Sequence, residues 1–243
     1  MAEKKYYLYS DIGDRPENED TAFAGEAGSN LIAALADGLG GQGDGSKASR
    51  LVIDRIREIG ADGTFPTVSA IEEVFASANE ALIAAQLNDF HMKTTAVYLC
   101  VCDDKAIWAH IGDTRLYHLV NGHLQDYTID HSVAQLAVTL GSITREEIPS
   151  YPGRSRLVKA MGVEGDVPDV HEQIQLRSGK HGFLICSDGL WEYLSDSDVE
   201  RAFSDSSSPE ECMEMLLTIR NEHEAPDGEN DNNSAIIVMT DVS

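Results

Sequence analysis

Apolar segments that run straight into an aspartate recur along this chain, and no other feature restricts its fold so strongly. Leu31, Ala33 and Leu35 alternate along one segment with Asp37 next on the same face, and Leu184, Cys186 and Asp188 repeat the arrangement. Alternate side chains of a strand point the same way, so each segment can bury an apolar face and deliver a carboxylate at its tip. Gly38 and Gly189 follow directly and permit a tight turn. Further acids stand in Arg15-Pro16-Glu17-Asn18-Glu19-Asp20, in Gly112-Asp113-Thr114-Arg115 and at Asp231-Asn232, just before the apolar segment 234–239. An Asp-Gly pair alone is an ordinary turn dipeptide. Carboxylates gathered over the end of a sheet are different: they repel one another unless a cation sits among them. Hard divalent metals with oxygen ligands are the natural cations, which points to a metal-dependent hydrolase.

The rest of the chain supplies elements to carry those tips. Strand-like runs cover residues 6–9, 31–36, 95–102, 106–111, 115–120, 182–186 and 234–239. Asn121-Gly122 predicts a hairpin turn into a short strand at 123–125. Helical spacing of apolar residues predicts helices over 46–59 and 69–87, the second opened by a capping box of Ser69 and Glu72. A third helix starts at Ser208-Pro209-Glu210-Glu211, where a cap, a proline and early acids coincide. Strands, helices and strands again do not make a regular βα alternation, so an α+β protein with antiparallel sheets under helices fits better than a doubly wound parallel sheet. Residues 139–169, with three prolines and four glycines, read as a mobile flap within a single domain spanning 1–243.

Eighteen lysines and arginines stand against 42 acids, a formal charge of −24. That balance argues against a nucleic-acid partner and favours a metal or a basic peptide. The N-terminal segment has no apolar leader and no run approaches the length of a membrane span, so a cytoplasmic protein without membrane contact is expected. Cys100, Cys102, Cys186 and Cys212 lack zinc or redox spacing and read as buried free thiols.

Taken in order, the acidic motifs, together with Ser10-Asp11-Ile12-Gly13, Thr94-Thr95-Ala96, Asp130-His131-Ser132 and the flap segment from Tyr151-Pro152-Gly153-Arg154 to Lys159-Ala160-Met161-Gly162, resemble the metal-dependent protein phosphatases of the protein phosphatase 2C (PPM) type in a short bacterial form. The resemblance implies a β-sandwich of two antiparallel sheets flanked by helices, four layers in αββα order, with a centre of two Mn²⁺ or Mg²⁺ ions at one end. It implies that Asp37 bridges both ions with help from the Gly38 carbonyl, that Asp20 or Glu19 holds one ion, and that Asp188 and Asp231 hold the other. Asp113 and Glu192 resemble the ligands of a third, weaker ion that shares Asp188. A hydroxide between the two metals would hydrolyse phosphoserine or phosphothreonine in proteins, with Arg15 clamping the phosphate. The substrates implied are phosphoproteins made by a serine/threonine kinase, handled by a monomer.

Leu39 departs from relatives that carry histidine after Asp-Gly, so no side chain there protonates the leaving group. Arg154 and Arg156 either meet phosphorylated or acidic substrate segments or pin the flap to the acidic body. That body is the stretch 192–229, in which Arg201 and Arg220 are the sole basic residues. A dedicated partner-switching regulator and a catalytically weak phosphoprotein-binding relative remain as alternatives.

Overall fold

The computed structural model describes residues 3–39, 44–86, 92–223 and 230–243. Gly40 and Gly41 of the Asp37 motif, Leu87 at the expected end of the second helix, and residues 224–229 of the acidic stretch lie outside the described residues. One antiparallel sheet has the order β1-β13-β12-β8-β9, from strands Lys4–Asp11 (β1), Asn233–Val242 (β13), Gly179–Cys186 (β12), Arg115–Val120 (β8) and His123–Tyr127 (β9). The other has the order β10-β7-β6-β3-β2, from Asp169–Val170 (β10), Lys105–Ile111 (β7), Ala96–Cys102 (β6), Asn30–Ala36 (β3) and Thr21–Ala27 (β2), with Ile174–Gln175 (β11) also on β7. Gly38–Leu39 (β4) and Lys93–Thr94 (β5) pair separately.

Alternation along the strands sorts side chains into three apolar layers. Odd-numbered residues of β3 and even-numbered residues of β13 meet between the sheets, where Leu31, Leu35, Leu99, Leu116, Ile185 and Ile236 are buried. The other face of β3 and β6 packs on helices Gly45–Ile56 (α1) and Val68–Ala85 (α2) through Ile32, Tyr98, Val52, Ile56, Phe75 and Leu82. The outer face of β12 and β13 packs on Asp196–Asp205 (α5) and Pro209–His223 (α6) through Leu184, Ile237, Phe203 and Leu216. Each fully buried leucine or phenylalanine here contributes about 1.5–3 kcal/mol relative to exposure. The result is the expected α+β sandwich in four layers, α–β–β–α.

Several local expectations change. Helix α2 is capped by Thr67, whose side chain accepts from the Ala70 amide, and not by Ser69 with Glu72. Strand β2 is absent from the sequence reading; its small residues are completed by the Phe23 ring, which lies over Gly25. Short helices Val133–Thr139 (α3) and Asp188–Trp191 (α4), together with α5, also escape the periodicity argument. α3 and α5 are specified by caps instead: Ser132 accepts from Gln135, and Ser195 forms a capping box with Asp198, whereas α4 has no side-chain cap. The flap is built rather than irregular. It holds a 3₁₀ turn at Arg145–Ser150 and two bridges to the body, Ser132 with Leu157 and Thr94 with Met161. Asn121 and Gly122 adopt φ of 52° and 82°, the left-handed pair that a two-residue hairpin needs. Among the cysteines, all free, Cys102 is half-buried and the others are buried. Among the described residues, no helix is long and apolar enough to cross a membrane.

Candidate metal centre

Both sheets present their acids at one end of the sandwich. Asp37 follows β3, Asp20 precedes β2 and Asp113 follows β7 in one sheet; Asp188 follows β12 and Asp231 precedes β13 in the other. The backbone at each tip is fixed by small hydroxyls and amides. The Asp37 amide donates to Thr95 Oγ1 (2.9 Å), and its carbonyl accepts from Thr94 Oγ1 (2.7 Å) and the Thr95 amide (2.9 Å). Ser187 Oγ donates to Asp20 Oδ2 (2.9 Å) across the two sheets. Asn232 accepts the Glu19 amide (2.8 Å) and donates to the Ile12 and Glu17 carbonyls (2.9 and 3.0 Å), tying the Arg15–Asp20 segment to Asp231. Glycine is required where tips touch: a Cβ on Gly38 would sit 2.2 Å from the Gly45 carbonyl oxygen, and one on Gly189 would sit 2.2 Å from that of Asn232.

Electrostatics marks these acids as a group. Asp37 is held well above the ordinary carboxylate range, first by burial and then by Asp20, Asp188, Asp113 and Asp231. Asp188 is raised in the same way by burial, Asp113, Glu192, Asp231 and Asp20. Asp113 is pushed up to about 7 by burial and Asp130, against the lowering pull of Arg115. Asp20 is pushed up to about 6, again mainly by burial. The Oδ1 of Asp20 is buried without a hydrogen-bond partner. An oxygen-only donor set, mutual repulsion and an unpartnered buried carboxylate oxygen together fit hard divalent cations.

The remaining sequence-predicted residues are placed less uniformly. Glu19 is half-buried and raised mainly by burial and also by Asp231; its carboxylate lies against Gly45 at the start of α1, and it raises Asp20 in turn. The Gly38 amide donates to the Glu19 carbonyl (3.2 Å), and its own carbonyl packs beside Gly45. Arg15 Nη2 lies 2.8 Å from Asp231 Oδ2, at the rim of the acid group. Glu192 is bound by Arg154 through Nε (2.5 Å) and Nη2 (2.7 Å), whereas Arg156 is exposed with no ion pair among the described residues.

Supporting groups that the sequence reading left without a role sit behind Asp113. Arg115 makes a buried two-pronged pair with Asp130 (2.8 and 2.7 Å) and lies 3.6 Å over the Trp191 ring, whose Nε1 donates to the Asp113 carbonyl (3.0 Å). Their signal was polar residues at the ends of otherwise apolar strands, where a buried charge needs a partner. Among the described residues, one trio of His, Cys, Asp or Glu ligand atoms falls within 4.8 Å, and it is elsewhere: His110, His131 and Asp169. The two imidazoles stack at 4.7 Å with planes 9° apart. An imidazole binds metal in its ring plane, so one ion cannot lie in both planes. His110 Nε2 also already donates to the Ile129 carbonyl (2.8 Å), and the trio is no metal site as arranged.

Known proteins share this arrangement of elements. The protein phosphatase 2C family profile matches residues 10–224. The serine/threonine protein phosphatase PstP of Mycobacterium tuberculosis is 34% identical over 205 residues, 82% of this chain and 38% of that protein, so the chain spans well under half of its length. A protein phosphatase 2C-type protein of Streptococcus pyogenes is 31% identical over 227 residues, 89% of this chain and 91% of its own. The crystal structure of the Mycobacterium tuberculosis phosphatase PstP/Ppp superposes with a TM-score of 0.85 at 30% identity over 100% of both chains. The catalytic domain of PstP in complex with two manganese ions superposes with a TM-score of 0.82 at 28% identity over 100% of both chains.

Proposed function

The chain belongs to the protein phosphatase 2C (PPM) family, and on that premise we propose that it hydrolyses phosphoserine and phosphothreonine in proteins with the help of two divalent ions, Mn²⁺ or Mg²⁺. The observation that carries this reading is the convergence of Asp20, Asp37, Asp113, Asp188 and Asp231 at one end of the sandwich, where the other four all raise Asp37 and Asp20, Asp113 and Asp231 raise Asp188. Asp37 would be shared between the ions, with Asp20 on one side and Asp188 and Asp231 on the other. The Gly38 carbonyl and Glu19 would complete the first ion's oxygen set, directly or through water. Asp113 and Glu192, with Asp188, would hold a weaker third ion. Ions of this kind supply water acidic enough to attack phosphorus near neutral pH and neutralise the phosphate charge.

The chain's own residues do the rest. Thr94, Thr95, Ser187 and Asn232 hold the carboxylates in place, so binding an ion demands little rearrangement of the backbone. Arg15 is assigned to phosphate binding: its guanidinium stands at the rim beside Asp231, and its planar fork matches two phosphate oxygens. Leu39 offers no proton, so the leaving alkoxide takes its proton from water. Cys100, Cys186 and Cys212 are buried, and burial pushes the thiols of Cys100 and Cys212 up to about 12 and that of Cys186 strongly in the same direction, so none is a useful nucleophile; the reaction needs no covalent intermediate on them. The Arg154 pair with Glu192 supports an anchoring role for that arginine, and Arg156 is left as the flap cation free to meet substrate. A cytoplasmic monomer acting on kinase products completes the reading.

The test is hydrolysis of p-nitrophenyl phosphate and of phosphopeptides with Mn²⁺, with EDTA, and after Asp37→Asn. Chelation should abolish activity and Mn²⁺ restore it, and Asp37→Asn should lower turnover by roughly two orders of magnitude, the usual scale for losing a group that stabilises transition-state charge. Full activity in metal-free protein, or normal turnover of the variant at saturating Mn²⁺, overturns the reading.

A further inference from the structure

His131 belongs to no part of the chemistry above, yet it touches the turn that carries Asp113 through both its backbone and its ring. Its amide donates to the Gly112 carbonyl (2.9 Å), and its Nδ1 accepts the Gly112 amide (3.1 Å). A backbone N–H can only donate, so Nδ1 must be bare and the imidazole neutral, with its proton on Nε2. That nitrogen faces Asp169 Oδ2 at 3.2 Å, close enough for electrostatic support but without the alignment of a formed hydrogen bond. Burial also holds the His131 pKa below its ordinary value, with Asp169 acting in the opposite sense. Gly112 itself has little freedom: its φ is +100°, and a Cβ there would meet Thr95 Cγ2 at 2.6 Å. On the other side of the turn the Asp113 carbonyl is held by Trp191.

The same histidine is also where the flap joins the body. Its carbonyl accepts the Val158 amide (2.8 Å), the Val133 amide donates to the Arg156 carbonyl (2.8 Å), Ser132 bridges to Leu157, and Asp169 Oδ1 accepts from Lys159 Nζ (2.9 Å). The groups facing the ring are therefore His110 from β7, Asp169 from β10 and, through Asp169, Lys159 from the flap.

We propose that His131 is a positioning residue for Asp113: its bare Nδ1 fixes the Gly112 amide, and through it the aim of the Asp113 carboxylate, from the root of the flap. The proposal rests on the reading of Asp113 as a ligand of the third, weaker ion. Asparagine and phenylalanine separate positioning from packing. His131→Asn places a carbonyl oxygen where Nδ1 stands but loses the ring, whereas His131→Phe keeps the ring and its stack on His110 but offers no acceptor.

Two measurements read the difference. Hydrogen exchange at the Gly112 amide is followed in metal-free protein, and Mn²⁺ affinity at the weak site is measured by titration calorimetry with the two tight sites filled. His131→Phe should speed Gly112 exchange and weaken third-ion binding about 10-fold, the low end for losing a group that orients a metal ligand, while His131→Asn stays near the wild type in both. Imidazole nitrogen shifts of the wild type should show a bare Nδ1 and a protonated Nε2. The reverse order, with phenylalanine near the wild type and asparagine impaired, would show that the ring only packs. Normal third-ion affinity in His131→Phe, with loss of that ion in Asp113→Asn, overturns the positioning role and leaves the ligand reading standing. Retention of the ion in Asp113→Asn overturns the ligand reading and this inference with it.

Discussion

Asp113→Asn should make the metal-free protein more stable while removing one of the acids on which we propose function depends. Asp113 is buried, and its pKa is about 7 against an ordinary 3.8. The folded state therefore holds this proton more tightly than the unfolded chain does. Below about pH 4 the group is neutral in both states and costs nothing. As pH rises through that range the unfolded chain ionises first, and stability falls until the folded pKa is passed. The full cost above pH 7 is about 4 kcal/mol at 1.36 kcal/mol per pKa unit. Asparagine keeps the shape and removes the charge, at the cost of a poorer acceptor, so we expect a gain of about 2–4 kcal/mol at pH 8 and almost none at pH 4. The assay is chemical denaturation of EDTA-treated protein at both pH values, repeated in saturating Mn²⁺. Ions that bind only the folded state add stability by linkage, so Mn²⁺ should narrow or reverse the difference in favour of aspartate. An asparagine variant no more stable than the wild type at pH 8 without metal, or equally stabilised at both pH values, refutes the reasoning.

The flap arginines divide by partner: Arg154→Gln should lower thermal stability modestly and slow all substrates alike through loss of the Glu192 pair, whereas Arg156→Gln should slow phosphoproteins in a salt-dependent way and spare p-nitrophenyl phosphate, as comparative kinetics at two ionic strengths will show. Gly189→Ala forces a Cβ into the Asn232 carbonyl beside Asp231, and should cost about 1–3 kcal/mol in denaturation and weaken Mn²⁺ binding in a titration. His118 lies between the sheets with its pKa lowered to about 4, mainly by burial. The unfolded chain takes that proton first as pH falls below 6.5, so the wild type should lose up to about 3 kcal/mol relative to His118→Phe between pH 6.5 and 4 and nothing above that window, measured by denaturation at fixed pH.

How far the fold could be read in advance depended on how each element is specified. β3, β6, β7, β8 and β12 carry unbroken apolar or alternating runs, because both faces of a sandwich strand are covered. β2 is built from small residues at a sheet edge, and its identity lies in a contact with a neighbouring strand rather than in its own pattern. The short helices α3, α4 and α5 are too brief for periodicity, although the Ser195–Asp198 box was legible to an eye set for caps. In α2 the cap moved to Thr67 because the extended backbone sits there, and two serine or threonine candidates within three residues cannot be ranked by composition. At the candidate site, the strand-end positions of Asp37 and Asp188 followed from alternation alone. The pairing of Arg154 with Glu192, of Arg115 with Asp130, and of His131 with Gly112 joins residues distant in sequence, and no local pattern encodes such meetings.

The acids come from two different sheets, and this makes the apolar filling between the sheets a ruler. Asp20, Asp37 and Asp113 ride on one layer and Asp188 and Asp231 on the other, with Leu35, Leu116, Ile185 and Ile236 between them. The gap any ion must fit is therefore set by the volume of hydrocarbon beneath it. Close-packed interiors transmit a change of one methylene rather than absorbing it. On the metal reading proposed above, trading isoleucine for valine in that layer should shift the preference between a smaller and a larger divalent ion while leaving every proposed ligand unchanged.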